Sequence, residues 1–161
     1  MIDKAQLETS IAEAHRRLYA AVAGFDATIL ETDPVAGVWS PRDVFGHLAD
    51  WHNETVDAIG YALAGQQFPR PIRDIETYNT AQAALRGIET WEQVVADLKN
   101  AQARVLDALH DVDAPKLRRT GQLPWGRVEQ LGGFFESIAR HTLSHAEELE
   151  HWRLRKLGVR E

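Results

Sequence analysis

The chain has 161 residues, a length that suits one domain over 1–161 and lets about 70% of the unfolded surface be buried without covalent cross-links. It contains no cysteine, which excludes disulfides, thiolate metal ligands and a protein thiol nucleophile, and which fits a reducing compartment, the cytoplasm. A formal net charge of −6 opposes attraction to phosphate backbones and argues against nucleic acid as a partner.

Leu7, Ile11, Ala14, Leu18, Val22 and Phe25 recur every three or four residues and predict an amphipathic first helix, ended by Gly24 and Asp33-Pro34. Glu8, Glu13 and Arg16 interrupt it, and no other stretch is apolar enough to span a bilayer, so no membrane partner is expected. The second helix has a strong start: Ser40 suits the N-cap, Pro41 the first helical position and Asp43 the positive helix end. Val44, Leu48, Trp51, Thr55 and Ile59 form its apolar stripe. Gly65 and Phe68-Pro69-Arg70-Pro71 stop it, and a long connection follows, with a short helix expected around residues 75–85 and closed by Gly87.

Thr90 and Gln93 make a capping box for the third long helix, which Val94, Val95, Leu98, Val105, Leu106 and Leu109 carry to Ala114-Pro115. A loop over 116–126 holds Arg118, Arg119, Leu123, Pro124 and Trp125, and residues 128–157 read as the fourth long helix. Gly132-Gly133 falls near its start, where packing is the expected reason, ahead of a close helix contact or a ligand opening. Arg153, Arg155, Lys156 and Arg160 read as cations meeting the helix C-terminal dipole. No segment shows strand alternation. The expected fold is all-α: a four-helix bundle whose long connection between helices 2 and 3 carries a short helix.

On the fourth helix, His141 and His145 are one turn apart. Leu131, Phe134, Ile138, His145, Leu149 and Trp152 share one face, with His141 at its margin. Unpaired imidazoles are costly in an apolar core, and four-residue spacing lets both rings reach one ion. His47, between Val44 and Trp51 on the second helix, is the third candidate ligand. Three neutral imidazoles leave an open coordination position, as at a catalytic metal. His15 and His52 lie at stripe edges and His110 at a helix end, so none is assigned to the metal. Glu148, one turn beyond His145, and Asp50, one turn beyond His47, are placed to orient a ligand ring or to act as general base; Glu148 is the stronger candidate for a catalytic role. The order His-Thr-Leu-Ser-His lacks the internal glutamate of zinc proteases, so peptide hydrolysis is not supported. Trp51, Tyr78, Trp125 and Trp152 are the candidate walls of a substrate pocket.

Two motifs resemble the DinB/YfiT-like superfamily of four-helix bundle metalloproteins, which is distinct from the DNA polymerase sharing the first name. They are Trp39-Ser40-Pro41-Arg42-Asp43-Val44-Phe45-Gly46-His47-Leu48-Ala49-Asp50-Trp51 and His141-Thr142-Leu143-Ser144-His145. The resemblance implies that His47, His141 and His145 are the metal ligands. The middle of the chain, Tyr78-Asn79 and Thr90-Trp91-Glu92-Gln93-Val94-Val95-Ala96-Asp97-Leu98, is similar to the ClbS/DfsB branch, which includes a protein protecting its host from a DNA-alkylating metabolite. Members of that branch often lack the full histidine triad present here. Other relatives are transferases or isomerases that use bacillithiol, mycothiol or glutathione.

The leading expectation is a metal-dependent hydrolase or thiol transferase acting on a small electrophilic molecule. Its cofactors would be a divalent ion (Zn, Ni, Fe or Mn) and a low-molecular-weight thiol. The alternative is a protein that sequesters or inactivates a reactive metabolite in an aromatic cavity without needing the metal. Flat helical faces also make a homodimer an expectation.

Overall fold

Alternating caps and apolar stripes build six helices among the residues, 3–159, that the computed structural model describes. Helix α1 (Lys4–Val22) starts where the Asp3 side chain accepts from the Ala5 amide, and it buries Leu7, Ile11, Ala14, His15 and Leu18. A short α2 (Ala27–Thr32) follows and inserts Leu30 into the core. Six residues carry too little periodicity to be separated from the end of the first helix by sequence. Helix α3 (Pro41–Leu63) has the expected capping box, Ser40 with Asp43, and α5 (Trp91–Asp111) has its own, Thr90 with Gln93. Between them, α4 (Ile75–Leu85) is capped by Asp74 and lies on the outside, burying no residue fully. Helix α6 (Leu131–Lys156) completes the bundle.

The packing order explains the long connection. Helix α1 lies along α6, α3 lies along α5, and α3 against α6 joins the two pairs. Near the N-termini of α3 and α5, Arg42 donates to the Glu89 carbonyl; further along both helices, Arg104 bonds Asn53 and Asp57. These two helices therefore run parallel, which requires a crossover, and residues 64–90 supply it. In the same way Arg17 pairs with Glu150 and Arg153 donates to the Ala21 and Ala23 carbonyls, so α1 and α6 are parallel. Arg155 donates to the Val35 carbonyl and Lys156 pairs with Asp33, so these cations of the basic tail tie down the 23–40 segment; Arg160 lies outside the described residues.

The expectation of no strands is corrected. Thr120–Gln122 and Val128–Gln130 (β1 and β2) form an antiparallel hairpin in the register Thr120↔Gln130, and α6 begins only at Leu131. Strands of three residues are too short to show alternation in sequence. Gly121 lets β1 lie on α3, because a side chain there would collide with Ala62. Gly133 is also a contact glycine: a Cβ at that position would press on the flexible Glu129 side chain. No helix of the described residues is long and apolar enough to cross a membrane.

The core has two apolar clusters. One gathers Ile11, Ile59, Leu109, Phe134 and Phe135; the other gathers Leu18, Phe45, Leu48, Leu98 and Trp152. Between them, at mid-height of α1, α3 and α6, lies a layer of polar side chains: His15, His47, His52, His141, Thr142 and His145. This layer positions the site.

Candidate metal centre

His47 projects from α3 and His141 and His145 from α6, all toward one point. The Nε2 atom of His141 lies 3.0 Å from His47 Nε2 and 3.1 Å from His145 Nε2. One potential ligand atom from each ring falls within a mutual distance of 4.8 Å. The ring centroids are 4.8 to 5.0 Å apart, with the planes steeply inclined.

The protonation states follow from burial. Desolvation, with the neighbouring imidazoles adding repulsion, drives the His47 pKa down to about 2; a hydrogen bond with Asn79 opposes the shift. The same causes, with His145 as the neighbour, push His141 down to about 3. Both rings are therefore neutral near pH 7. His145 donates from Nδ1 to Glu148 Oε2 at 2.8 Å, and in the neutral ring that tautomer turns the Nε2 lone pair toward His141. Any Nε2–H of His141 satisfies only one of its two neighbours. Lone pairs thus face one another at the junction, and a cation is the partner this donor set fits.

Glu148 stands behind His145, because Nδ1 and Nε2 project from opposite sides of an imidazole. This is the position of a residue that orients a ligand and fixes its tautomer. Asp50 takes another partner. Its carboxylate receives Arg86, with N–O distances of 2.7 and 3.0 Å, and Arg86 also pairs with Glu89 and Asp97. The cluster ties the 86–88 turn to α3 and α5, so Asp50 serves the scaffold and does not orient His47.

A cavity of about 420 Å³ opens beside His47 and His141, between α3, α6, α4 and the hairpin turn. Trp51 and Trp125 line it, with ring centroids 5.8 Å apart, and Trp51 is held by a 2.8 Å hydrogen bond from its Nε1 to Asn79 Oδ1. Tyr78 packs edge-on against Trp51 at 5.0 Å and backs this wall without lining the cavity. Trp152 does not reach it. Its indole is buried in the second apolar cluster and donates to Asp33 at 2.7 Å. Trp152 shares the wheel angle of His145, but seven residues displace it about 10 Å along the axis.

The sequence alone gives several neighbours of the site no role in it. Trp39 stacks at a tilt on His47, with centroids 4.9 Å apart. His52 lines the cavity floor and pairs with His15, Nε2 to Nε2, at 2.9 Å. Ser137, Arg140 and Ser144 line the α6 side. Their spacing around His141 (four before, one before, three after) was a readable signal of one polar stripe.

The sequence model of the DinB superfamily matches residues 10–149. No curated protein matches the chain significantly. Among solved structures, an uncharacterised protein from Escherichia coli UTI89 is similar at 16% identity, covering 100% of this chain and 98% of its own, with a TM-score of 0.78. The mycothiol-dependent maleylpyruvate isomerase is similar at 12% identity and TM-score 0.79; 91% of this chain is covered but only 60% of the isomerase. YfiT from Bacillus subtilis, described as "a probable metal-dependent hydrolase with an unusual four-helix bundle topology", is 22% identical over 96% of this chain and 87% of its own, with a TM-score of 0.69.

Proposed function

Starting from a chain that belongs to the DinB superfamily, we propose that it is a metal-dependent enzyme acting on a small electrophilic molecule, as a hydrolase or a thiol-dependent transferase. The observation that carries this reading is the convergence of three Nε2 atoms, two of them on rings held neutral and the third with its proton committed to Glu148. His47, His141 and His145 hold the ion, and imidazole ligands suit zinc, nickel or iron, with manganese a weaker fit. When bound, a divalent ion supplies Lewis acidity and lowers the pKa of a nucleophile, either water or a low-molecular-weight thiol.

The remaining roles belong to the protein. Glu148 keeps the His145 proton on Nδ1 and so holds the Nε2 lone pair in place. Trp51 and Trp125 give the substrate an apolar surface and exclude water beside the ligands. YfiT is described as metal-dependent and a hydrolase and the isomerase as mycothiol-dependent; metal and thiol chemistry are carried to this chain as part of the proposal.

The test is metal analysis of protein purified without a histidine tag, beside its His145→Ala variant. About one divalent ion per chain in the parent and loss of it in a folded variant are expected. Absence of metal, with no rise in melting temperature on adding zinc, nickel, manganese or iron, overturns the reading. The tryptophan-lined cavity favours a second reading, sequestration of a reactive metabolite as in the ClbS/DfsB branch. Unchanged ligand binding or protection by metal-free His145→Ala protein would select it.

A further inference from the structure

Chemistry at a metal needs a substrate oriented beside it, and the charge of the cavity lining bears on which substrate that is. Although the chain carries 24 acidic residues and 18 Lys and Arg, no Asp or Glu lines this cavity; its one permanently charged side chain is Arg140. Arg140 is the residue before the ligand His141, and it sits on the ridge between the cavity and a separate groove against α1. Most arginines of the bundle are occupied: Arg16, Arg17, Arg86 and Arg104 pair with carboxylates, and Arg153 with carbonyls. Among the described residues no hydrogen bond or ion pair engages Arg140, and Glu136, one turn before it, makes none with it.

Ser137 and Ser144 flank Arg140 at three and four residues' distance, so two hydroxyls and one guanidinium share the α6 wall. Trp51, Trp125 and Ile75 face them across the cavity. The pattern is one of segregated recognition: an apolar wall for a flat body, and a planar fork of donors for a group with two acceptor oxygens. A single guanidinium, with no Lys and no second Arg in the lining, matches a single negative charge at this wall.

We propose that this cavity takes a monoanionic carboxylate on a flat apolar body, with Arg140 as the residue that holds the carboxylate and sets specificity for it. The proposal rests on the reading of the cavity as the substrate site. It implies that the acidic chain accepts an acidic small molecule at a cavity whose lining carries none of its own carboxylates.

The experiment titrates EDTA-stripped protein, and the same protein reloaded with zinc, with benzoate and phenylacetate and with their neutral analogues benzamide and phenylacetamide. Tryptophan fluorescence reports binding, since Trp51 and Trp125 face the cavity. In stripped protein no ion can capture the carboxylate, so the preference there reads Arg140 alone. The acids are expected to bind about tenfold more tightly than the amides, the size of a charge-assisted contact open to water. Arg140→Gln should erase that preference, and Arg140→Lys should keep part of it. Equal binding of acids and amides, absence of saturable binding by either acid, or an undiminished preference in Arg140→Gln overturns the proposal. Failure of the metal reading looks different: no zinc is taken up, while the acid preference of the stripped protein remains.

Discussion

The His15–His52 pair gives the sharpest test of the polar layer, because both rings are buried and neither belongs to the triad. His15 is 7% exposed and His52 1%, and desolvation holds the first at a pKa of about 4 and the second well below the ordinary imidazole value. In the unfolded chain each ring titrates near 6.5. The unfolded state therefore binds more protons below that pH, so the stability of this pair is complete above about 6.5 and is lost as pH falls toward 4. Lowering the pH from about 7.5 to about 5.5 raises the unfolded-state binding polynomial of one ring about tenfold, or about 1.4 kcal/mol, and leaves folded His15 almost unprotonated. Two rings give about 2.7 kcal/mol.

The perturbation is the double variant His15→Leu with His52→Leu, which removes both partners together and so leaves no buried nitrogen unsatisfied. Urea unfolding in EDTA, followed by circular dichroism at both pH values, measures the loss in each protein. His47 and His141 add their own acid sensitivity equally to parent and variant, and this cancels in the difference. The parent should lose about 2–3 kcal/mol more than the variant. Equal losses would refute the reasoning. They would mean that the 2.9 Å contact holds a shared proton on a cationic pair and not two neutral rings.

Two further outcomes are expected. Glu148→Gln should weaken zinc binding about 10- to 100-fold in a chelator-competition titration while leaving the fold intact, because it removes the charge that holds the His145 proton on Nδ1; unchanged affinity would remove Glu148 from the site. Arg86→Ala should cost about 3 kcal/mol of unfolding free energy, since Asp50, 11% exposed, is left without its cation, and adding Asp50→Asn should recover part of that loss.

What could be read from sequence divides by the length of the signal. The long helices were legible because Ser40 with Asp43 and Thr90 with Gln93 mark their starts and four-residue apolar spacing runs on for several turns. Helix α2 and the hairpin at Thr120–Gln122 were not, because elements of six and three residues complete too few periods, and the hairpin owes its place to a tertiary contact of Gly121 with α3. At the site, His141 and His145 announce themselves by spacing, and His47 by its place beside an apolar stripe. The wheel gives angle but not height, so it groups Trp152 with a cavity two turns away. The partner of Asp50 was invisible for a different reason: Arg86 lies 36 residues further along, on a turn whose return to α3 depends on the crossover. His15 and His52 were read singly, since nothing in a one-dimensional pattern reports that two stripe edges from separate helices meet.

His47 and His141 are 94 positions apart, in a chain with no cysteine to link distant segments. An ion shared between them would act as a reversible staple across that span, and because only the folded chain brings the ligands together, it would stabilise the fold by mass action, by about 4 kcal/mol at a free-ion concentration a thousandfold above the dissociation constant. Capture of the ion would have to wait until the crossover had docked and both helices stood side by side, so occupancy would register the last stage of assembly. Chelation would then shorten the lifetime of the native state as well as silence its chemistry.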